Sequence, residues 1–197
     1  MKKIFCAVKD TNKLRSIREW ALTIGVAFLL ALFIRTFIFQ TAYVEGSSMY
    51  PTFEDGELLI VKKYENIIKH PKYTRGEIII FSPPIKGNKK LYIKRIIGLP
   101  GDKISIEGGK LYINDKLLNE PYIENDLYTE AIHLAGPHAI SENELFVVGD
   151  NRHPGGSIDS RTFGEVPFKN VVGKVSYRIF PLTKIRHFDS YNDKDGA

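Results

Sequence analysis

A single long apolar run constrains this chain more than any other feature of its sequence. Residues 20–34 read WALTIGVAFLLALFI, and after Arg35 the apolar character continues to Phe39. Fifteen residues would rise only about 22 Å as a helix, whereas a bilayer core is about 30 Å thick. Adding Arg35 and the four residues after it reaches the roughly 20 residues that a span needs. The sequence therefore predicts a transmembrane signal anchor over residues 20–40.

The segment before this run is basic and predicts the orientation of the chain. Residues 1–19 hold six Lys or Arg residues against two acidic ones, so they carry most of the formal net charge of +5. Basic residues close to a span favour the cytoplasmic side, which predicts a cytoplasmic tail over residues 1–19 and an outside location after residue 40. A cleavable signal peptide is less favoured, because the run is long and residues 40–45 lack an A-x-A cleavage site.

The sequence after residue 40 has the pattern of an antiparallel, mainly β domain. Short β-branched runs bounded by turn residues predict strands over residues 57–61, 77–81, 91–97, 144–148 and 171–180. Residues 103–113 form the clearest hairpin, because two alternating arms flank Gly108 and Gly109. We expect this domain to cover residues 41–188, with a polar, disordered tail over residues 189–197. It lacks a basic and aromatic patch, so no nucleic-acid partner is expected.

Directly after the apolar run, residues 45–53 read EGSSMYPTF and place two serines in a turn. Gly46 and Pro51 interrupt any regular helix or strand, so a hydroxyl here can stay exposed and fixed in direction. Such turns are mostly only turns. The position at the outer membrane edge makes a serine here a candidate nucleophile, which needs a base to remove its proton.

Histidine and lysine are the two residue types that could supply this base. The histidines lie in loops or polar segments, and no HExxH or paired spacing predicts a metal site. They are His70, His133, His138, His153 and His187. Lys94 instead lies within a predicted strand, where alternation puts it and Arg95 on opposite faces. Either one of these cations faces inward, or the strand lies at a sheet edge.

A strand lysine is most often a surface residue whose stem packs while its ammonium reaches water. If Lys94 is buried instead, desolvation lowers its pKa from about 10.4, and each unit corresponds to about 1.4 kcal/mol. A neutral amine can then accept a serine proton. Spacing alone does not bring Lys94 to a serine.

A third polar stretch, residues 149–161, follows the apolar run ELFVV and reads GDNRHPGGSIDSR. In the simpler interpretation it is a surface loop with Asx and Ser turns. In the functional interpretation it offers a hydroxyl to orient a base and an Asp/Arg pair to hold the loop.

Together these stretches resemble the conserved boxes of bacterial type I signal peptidases, in the short single-anchor form typical of Gram-positive bacteria. The resemblance runs from the anchor to about residue 180, with four boxes in the family's order. They are Ser48-Met49-Tyr50-Pro51-Thr52, residues 75–81 (RGEIIIF), Tyr92-Ile93-Lys94-Arg95 with residues 98–102 (GLPGD), and Gly149-Asp150-Asn151-Arg152 with residues 157–161 (SIDSR).

The resemblance implies an antiparallel-sheet Ser/Lys peptidase domain, with Ser48 as nucleophile and Lys94 as general base in acylation and deacylation. Ser157 would orient the Lys94 amine. Other matched residues would be structural supports, namely Asp159, Arg161, Asp150 and Arg152. The resemblance also implies shallow pockets for small side chains, as in Ala-X-Ala before the cleaved bond, and no metal or organic cofactor.

The chain departs from the family pattern in two places. The family usually has two residues between GDNR and SxDSR, whereas this chain has four, residues 153–156, so the loop must bulge to return Ser157 to the lysine. Some relatives have a serine two residues before the nucleophile that assists the oxyanion hole, and this chain has Gly46 there. The hole would then depend on the Ser48 N–H and other main-chain donors, each of which can change the rate by orders of magnitude.

The predicted function is a membrane-bound endopeptidase that removes signal peptides from exported preproteins. From Gln40 to Ser48 the chain can extend at most about 29 Å, which keeps the nucleophile near the outer leaflet, where cleavage sites emerge. The expected partners are preproteins and the lipid bilayer. Two alternatives are a related Ser/Lys peptidase, such as a self-cleaving regulator, and an inactive anchored β domain that binds secreted or cell-wall partners.

Overall fold

The computed structural model describes residues 2–63, 71–124, 127–134 and 136–188. The chain divides into two compact units, Met1–Phe39 and Gln40–Ala197. The tail predicted over residues 189–197 lies outside the described residues, and so does His70.

Helix α1 (Lys2–Phe37) covers most of the anchor predicted over residues 20–40, but it ends three residues earlier, and Phe39 and Gln40 already belong to the first strand. Over Arg15–Arg35 it is long and apolar enough to cross a membrane, judged by length and composition. Large side chains such as Leu22 and Phe28 are exposed on it, and an apolar helix surface of this kind fits a membrane anchor. The helix begins well before residue 20, so the basic residues of the predicted tail continue the same helix.

Twelve strands and a short helix α2 (Ser160–Phe163) make up most of the regular structure described in the second unit. The strands are β1 (Phe39–Tyr43), β2 (Leu58–Lys62), β3 (Ile78–Phe81), β4 (Tyr92–Gly98), β5 (Lys103–Glu107), β6 (Lys110–Ile113), β7 (Lys116–Leu117), β8 (His138–Ala139), β9 (Glu144–Val148), β10 (Val166–Pro167), β11 (Val171–Phe180) and β12 (Arg186–His187). The larger sheet has the order β1-β2-β11-β3-β4-β9-β10, with β12 also paired to β11. The smaller sheet has the order β7-β6-β5-β8.

The mainly β, antiparallel prediction is confirmed, and the predicted strands agree with the observed ones to within about a residue at each end. Strands β9 and β11 have the predicted bounds. The predicted hairpin is β5–β6, in which Glu107 faces Lys110 across the two-residue turn. Gly108 and Gly109 both have positive φ, as a type I′ turn requires.

Strand β4 lies inside the larger sheet, where it pairs with β3 on one side and β9 on the other. The alternative that this strand lies at a sheet edge is therefore wrong, and the expectation that one of its adjacent cations faces inward holds for both of them. Both Lys94 and Arg95 are buried. Burial of both is possible because each has a polar partner, Ser48 for Lys94 and Asp150 for Arg95.

Three hydrophobic clusters connect these elements. One of them joins the serine turn to the larger sheet, because Met49 and Phe53 pack with Leu59, Ile80 and Val175. Another joins the two sheets, with the apolar side chains of β4 and β9 against those of β5 and β6. The serine turn and strand β4 therefore both pack against the hydrophobic core of the larger sheet.

Candidate active site

The serine turn follows β1 and is fixed from both sides. Met49 and Phe53 are fully buried, so the residue after Ser48 anchors the turn in the core. Within the turn, the Tyr50 N–H donates to the Ser47 carbonyl at 3.0 Å and the Phe53 N–H donates to the Met49 carbonyl at 2.9 Å. Core packing and main-chain hydrogen bonds thus limit the directions that the Ser48 side chain can take.

Gly46 supports the turn through its backbone. Its φ is 86°, a conformation that favours glycine, and its N–H donates to Asp55 Oδ1 at 2.6 Å. A Cβ at this position would meet nothing within 4 Å, so backbone conformation, not space, disfavours a larger residue here. The Gly46 N–H is committed to Asp55.

Lys94 reaches the serine turn from the middle of β4. Its side chain is 3% exposed, and Nζ lies 2.6 Å from Ser48 Oγ. Nζ also donates to the Ile93 carbonyl at 3.0 Å. The structure therefore brings the predicted nucleophile and the predicted base within hydrogen-bond distance, although 46 residues separate them in the chain.

Burial lowers the pKa of Lys94 to about 8, because desolvation disfavours the ammonium. The carboxylates of Asp159 and Asp150 oppose this shift and the Arg161 cation adds to it, but desolvation is the largest cause. A pKa near 8 leaves a useful fraction of the amine neutral close to neutral pH. Lys94 can therefore accept a proton from a hydroxyl under ordinary conditions.

Asp159 organises the third polar stretch. It is fully buried and caps α2, and its carboxylate accepts hydrogen bonds from the Gly149 N–H at 3.0 Å and the Ser157 hydroxyl at 2.7 Å. Arg161 donates to it through Nε at 2.9 Å and Nη2 at 2.8 Å. Burial would raise the pKa of Asp159, but the hydrogen bonds and charge of Arg161 outweigh burial and hold that pKa below its usual value.

After the longer loop over residues 153–156, Ser157 lies against Gly149, next to the serine turn. A Cβ on Gly149 would lie 2.2 Å from Ser157 Oγ and 2.5 Å from the Ser48 carbonyl oxygen, so both groups pack against this glycine. The Ser157 hydroxyl donates to Asp159, and the hydrogen bonds of the described residues include none between Ser157 and Lys94. The orienting role of Ser157 stays a prediction.

Asp150 and Arg152 are buried in separate ion pairs. Asp150 accepts from Arg95 Nε at 2.9 Å and Nη2 at 2.6 Å, and from the Thr52 hydroxyl at 2.5 Å. Arg152 donates to the Gly149 carbonyl at 2.9 Å and pairs with Glu120. The Asp150–Arg95 pair connects the serine turn and β4 to the polar stretch of residues 149–161. The Arg152–Glu120 pair connects that stretch to residues near 120.

Asn151 also contributes, because its Nδ2 donates to the Ser47 carbonyl at 3.0 Å. Four of the contributing residues were not predicted from the sequence: Thr52, Arg95, Glu120 and Asn151. Three of them lie inside the boxes, and two of these, Arg95 and Asn151, stand directly beside predicted site residues, so adjacency was an available signal for those two. Glu120 lies in a segment without a recognisable pattern, and only the fold brings it to Arg152.

A cavity of about 910 Å³ opens in front of Ser48 and Lys94, which together are called the dyad below. Its lining comes from three parts of the second unit: residues 40–43 and 45–48, Ile80 with residues 90–94, and residues 155, 156 and 158. The walls include apolar side chains such as Ile80, Ile93 and Ile158 beside the polar dyad. Such a groove has room for a peptide segment.

The other titratable clusters in the described part of the chain do not contact the dyad. The described histidines bind elsewhere, for example His138 to Glu165 at 2.6 Å and His153 to Glu124 at 3.2 Å. Among the described residues, no group of three or more His, Cys, Asp or Glu side chains could hold a metal ion.

An antiparallel β fold that holds a serine hydroxyl against a buried, readily deprotonated lysine amine defines a class, the serine hydrolases that use lysine as their base. Comparison with known proteins narrows this class. The family described as "Signal peptidase, peptidase S26" matches residues 17–180. The chain belongs to this family.

Individual relatives match over nearly their full length. The chain is 42% identical over 190 residues to signal peptidase I of Bacillus licheniformis, covering 92% of this chain and 98% of that one. It is 40% identical over 187 residues to signal peptidase I T of Bacillus subtilis (strain 168), covering 91% and 92%. Among solved structures, a signal peptidase I from Enterococcus faecalis V583 matches with 32% identity and a TM-score of 0.44, covering 53% of this chain and 97% of that chain.

Proposed function

We propose that this protein is a membrane-bound serine endopeptidase that cleaves N-terminal signal peptides from exported preproteins, with Ser48 as nucleophile and Lys94 as general base. The observation that carries the assignment of the two residues is the 2.6 Å distance between Ser48 Oγ and Lys94 Nζ. The lowered pKa of Lys94, about 8, makes that contact chemically useful. Membership of the signal peptidase family supports the substrate class.

The reaction begins with the neutral amine of Lys94. It accepts the proton of the Ser48 hydroxyl while Oγ attacks the carbonyl carbon of the scissile peptide bond. The tetrahedral intermediate places negative charge on the former carbonyl oxygen, where the Ser48 N–H can donate to it. When the C–N bond breaks, the Lys94 ammonium returns its proton to the leaving amine, and the signal peptide remains as an ester on Ser48.

Hydrolysis of this ester uses the same base. Lys94, neutral again, removes a proton from a water molecule that attacks the ester carbonyl. Collapse of the second tetrahedral intermediate breaks the bond to Oγ, and the proton moves from Lys94 to Ser48. One lysine thereby serves both half-reactions.

The supporting residues act by holding this arrangement. Asp159 with Arg161 fixes the Gly149 and Ser157 region, and Asp150 with Arg95 ties β4 to the serine turn. Buried, paired charges of this kind are costly to disrupt, because removing one partner leaves the other unpaired. Ser157 packs against Gly149 beside the Ser48 carbonyl, and this proximity to the serine turn supports a role in orienting the amine.

The groove and the sequence support a finer description of substrate and location. Apolar walls next to Ser48 and Lys94 favour apolar side chains before the cleaved bond, and the family resemblance favours small ones. The basic residues before the apolar helix favour a cytoplasmic N-terminus, a single membrane span and an extracytoplasmic catalytic domain. The substrate and the enzyme would then meet at the outer lipid surface.

The test uses detergent-solubilised full-length protein and a preprotein. We expect wild-type protein to release the mature chain, and Ser48→Ala or Lys94→Arg to lose roughly 10³-fold or more of the rate. Lys94→Arg is informative because arginine keeps the charge but cannot lose its proton. Ser105→Ala, at a buried serine in the smaller sheet, is the matched control and should retain activity.

Two results would contradict the proposal. Wild-type protein that leaves the preprotein intact would point to a binding domain without this activity. A Ser48→Ala variant that cleaves as well as wild type would exclude Ser48 as the nucleophile.

A further inference from the structure

Asn151 lies between the serine turn and the loop of residues 153–156. The residue is 8% exposed, and it makes three hydrogen bonds there, one through its backbone N–H and two through its side-chain amide. The Asn151 N–H donates to the Ser48 carbonyl at 3.1 Å, and Nδ2 donates to the Ser47 carbonyl at 3.0 Å. Oδ1 accepts from the His153 N–H at 3.1 Å. The amide is held in one orientation, because a flipped amide would put oxygen against a carbonyl and an NH₂ group against an N–H.

The two carbonyls that Asn151 holds belong to the peptide groups on either side of Ser48. A peptide group is planar and trans, so its N–H points opposite to its carbonyl. Fixing the Ser47 carbonyl therefore also fixes the direction of the Ser48 N–H. Within the described residues this N–H donates to no protein group, which leaves it available to a ligand.

We propose that Asn151 is a positioning residue that aligns the Ser48 N–H with the oxyanion of the reaction, and that the loop of residues 153–156 sets the position of Asn151. The inference rests on the proposed function, since it assumes that Ser48 attacks a carbonyl. Asn151 acts through the Ser47–Ser48 and Ser48–Met49 peptide groups and does not itself touch the substrate.

The loop contacts the Asn151 amide directly. A Cβ on Gly156 would lie 2.5 Å from Asn151 Oδ1, 2.7 Å from Cγ and 3.0 Å from Nδ2. The Gly156 N–H donates to the His153 carbonyl at 2.8 Å, so the loop closes on itself around the amide. The loop of residues 153–156 therefore packs against the amide that holds the Ser47 carbonyl.

A misaligned oxyanion donor lowers the rate of the chemical step and leaves ground-state binding nearly unchanged. Complete loss of one donor costs roughly 10²- to 10³-fold in kcat, so partial misalignment should cost about 10- to 100-fold. The pKa of Lys94 should not change with a neutral substitution at residue 151, because burial of Lys94 on β4 is its main cause. Loss of rate without a shift in the pH midpoint is the signature of this role.

The test measures single-turnover cleavage of a preprotein with enzyme in excess. Because the enzyme is in excess, the limiting rate at saturation does not depend on the fraction of enzyme molecules that are correctly folded. Asn151→Leu keeps the approximate shape of the side chain but removes its donor and acceptor, and Asn151→Ala removes the amide entirely. Both should lower the limiting rate about 10- to 100-fold, with half-saturation within about threefold of wild type and the same pH midpoint.

A double-mutant cycle tests the contribution of the loop. Gly156→Ala should lower the limiting rate by displacing the amide, and in the Asn151→Ala background it should have no further effect. Gly156 does not have a positive φ, so alanine is compatible with its backbone. The control is Asn170→Ala, which also removes an amide donor to a carbonyl, that of Ser82, outside the groove lining; its limiting rate should equal that of wild type.

The outcomes separate this inference from the proposed function. Inactive wild-type protein would overturn both. If wild type is active and Asn151→Leu has the same limiting rate, only the role of Asn151 is overturned. The same holds if Asn151→Leu changes only the enzyme concentration at half-saturation, or only the pH midpoint, and leaves the limiting rate unchanged. Independent, multiplicative losses from Asn151→Ala and Gly156→Ala would overturn the role of the loop. If Asn151→Ala shows no thermal unfolding transition, that variant is not folded, and the limiting rate of Asn151→Leu then tests the role of Asn151.

Discussion

At the scale of single residues, the proposed chemistry depends on Lys94 losing its proton close to neutral pH. An exposed lysine is almost fully charged there and cannot act as a base. The sequence placed Lys94 in a strand but left open whether that strand buries it. Its position on β4, between β3 and β9, supplies the desolvation that a simple alternation rule did not predict.

The first prediction concerns the dependence of activity on pH. With a Lys94 pKa of about 8, kcat/KM should rise about tenfold per pH unit below that value and level off above it. The direction follows because the neutral amine is the active form. Initial rates of preprotein cleavage between pH 6 and 10.5 would show the midpoint. A profile that keeps rising to pH 10 would mean that Lys94 keeps the pKa of an exposed lysine.

The second prediction concerns stability. Below pH 8 Lys94 is protonated in both the folded and unfolded states, and its full desolvation cost opposes folding. Between about 8 and 10.5 the unfolded chain binds more protons than the folded one, so stability rises with pH and the cost disappears.

Replacing the lysine with an apolar residue of similar length removes this cost. Lys94→Met should therefore stabilise the protein by up to about 3 kcal/mol near pH 7, with a smaller gain as the pH approaches 10.5. Denaturant titrations followed by circular dichroism at both pH values would measure the difference. A gain that grows with pH would have the wrong sign and would contradict the assignment.

At the scale of elements, the sequence predicted the strands well and their mutual contacts poorly. Strand β9 and the β5–β6 hairpin follow from local periodicity and turn residues, which act over a few positions. The Glu120–Arg152 pair joins positions 32 residues apart. Nothing in the local sequence around Glu120 indicates this partner, since the pairing depends on the packing of the smaller sheet beside the larger one.

This pair gives the third prediction. Arg152 is fully buried, and its guanidinium also donates to Thr129 at 2.9 Å and to the Gly149 carbonyl. Glu120→Ala leaves that charge without its main partner and should lower the free energy of unfolding by about 3–5 kcal/mol. Chemical denaturation at pH 7 would measure the loss.

A double variant distinguishes two causes of lost stability, an unpaired charge on Arg152 and lost packing around Glu120. Glu120→Leu with Arg152→Met removes both charges, and it should recover most of the stability lost in Glu120→Ala. A double variant as unstable as the single one would show that packing around Glu120, and not the charge of Arg152, accounts for the loss.

At the scale of the whole molecule, the hydrophobic clusters and the dyad all belong to the unit that begins at Gln40. The fourth prediction is that a chain of residues 40–197 keeps the β fold and a cleavage pH midpoint near 8 on a soluble peptide substrate. It should cleave a preprotein inserted in lipid vesicles more slowly than the full-length protein does, because it loses the high local concentration that a shared membrane provides.

Rates on the peptide and on the vesicle-bound preprotein, compared between the two chains, would check this prediction. Equal rates of the two chains on the vesicle-bound preprotein would mean that the anchor contributes nothing to the encounter with substrate. Loss of the circular dichroism spectrum of a β protein in the shorter chain would mean that the helix is needed for folding.

The Asn151 hydrogen bonds to the carbonyls of Ser47 and Ser48 also bear on when the site can form during synthesis of the chain. Ser48 and Lys94 are made early, but the groups that fix them are made about a hundred residues after the serine. A growing chain that ends before Asp159 lacks the carboxylate that holds the Gly149 and Ser157 region. The proposed catalytic geometry can therefore be completed only after most of the chain has been made.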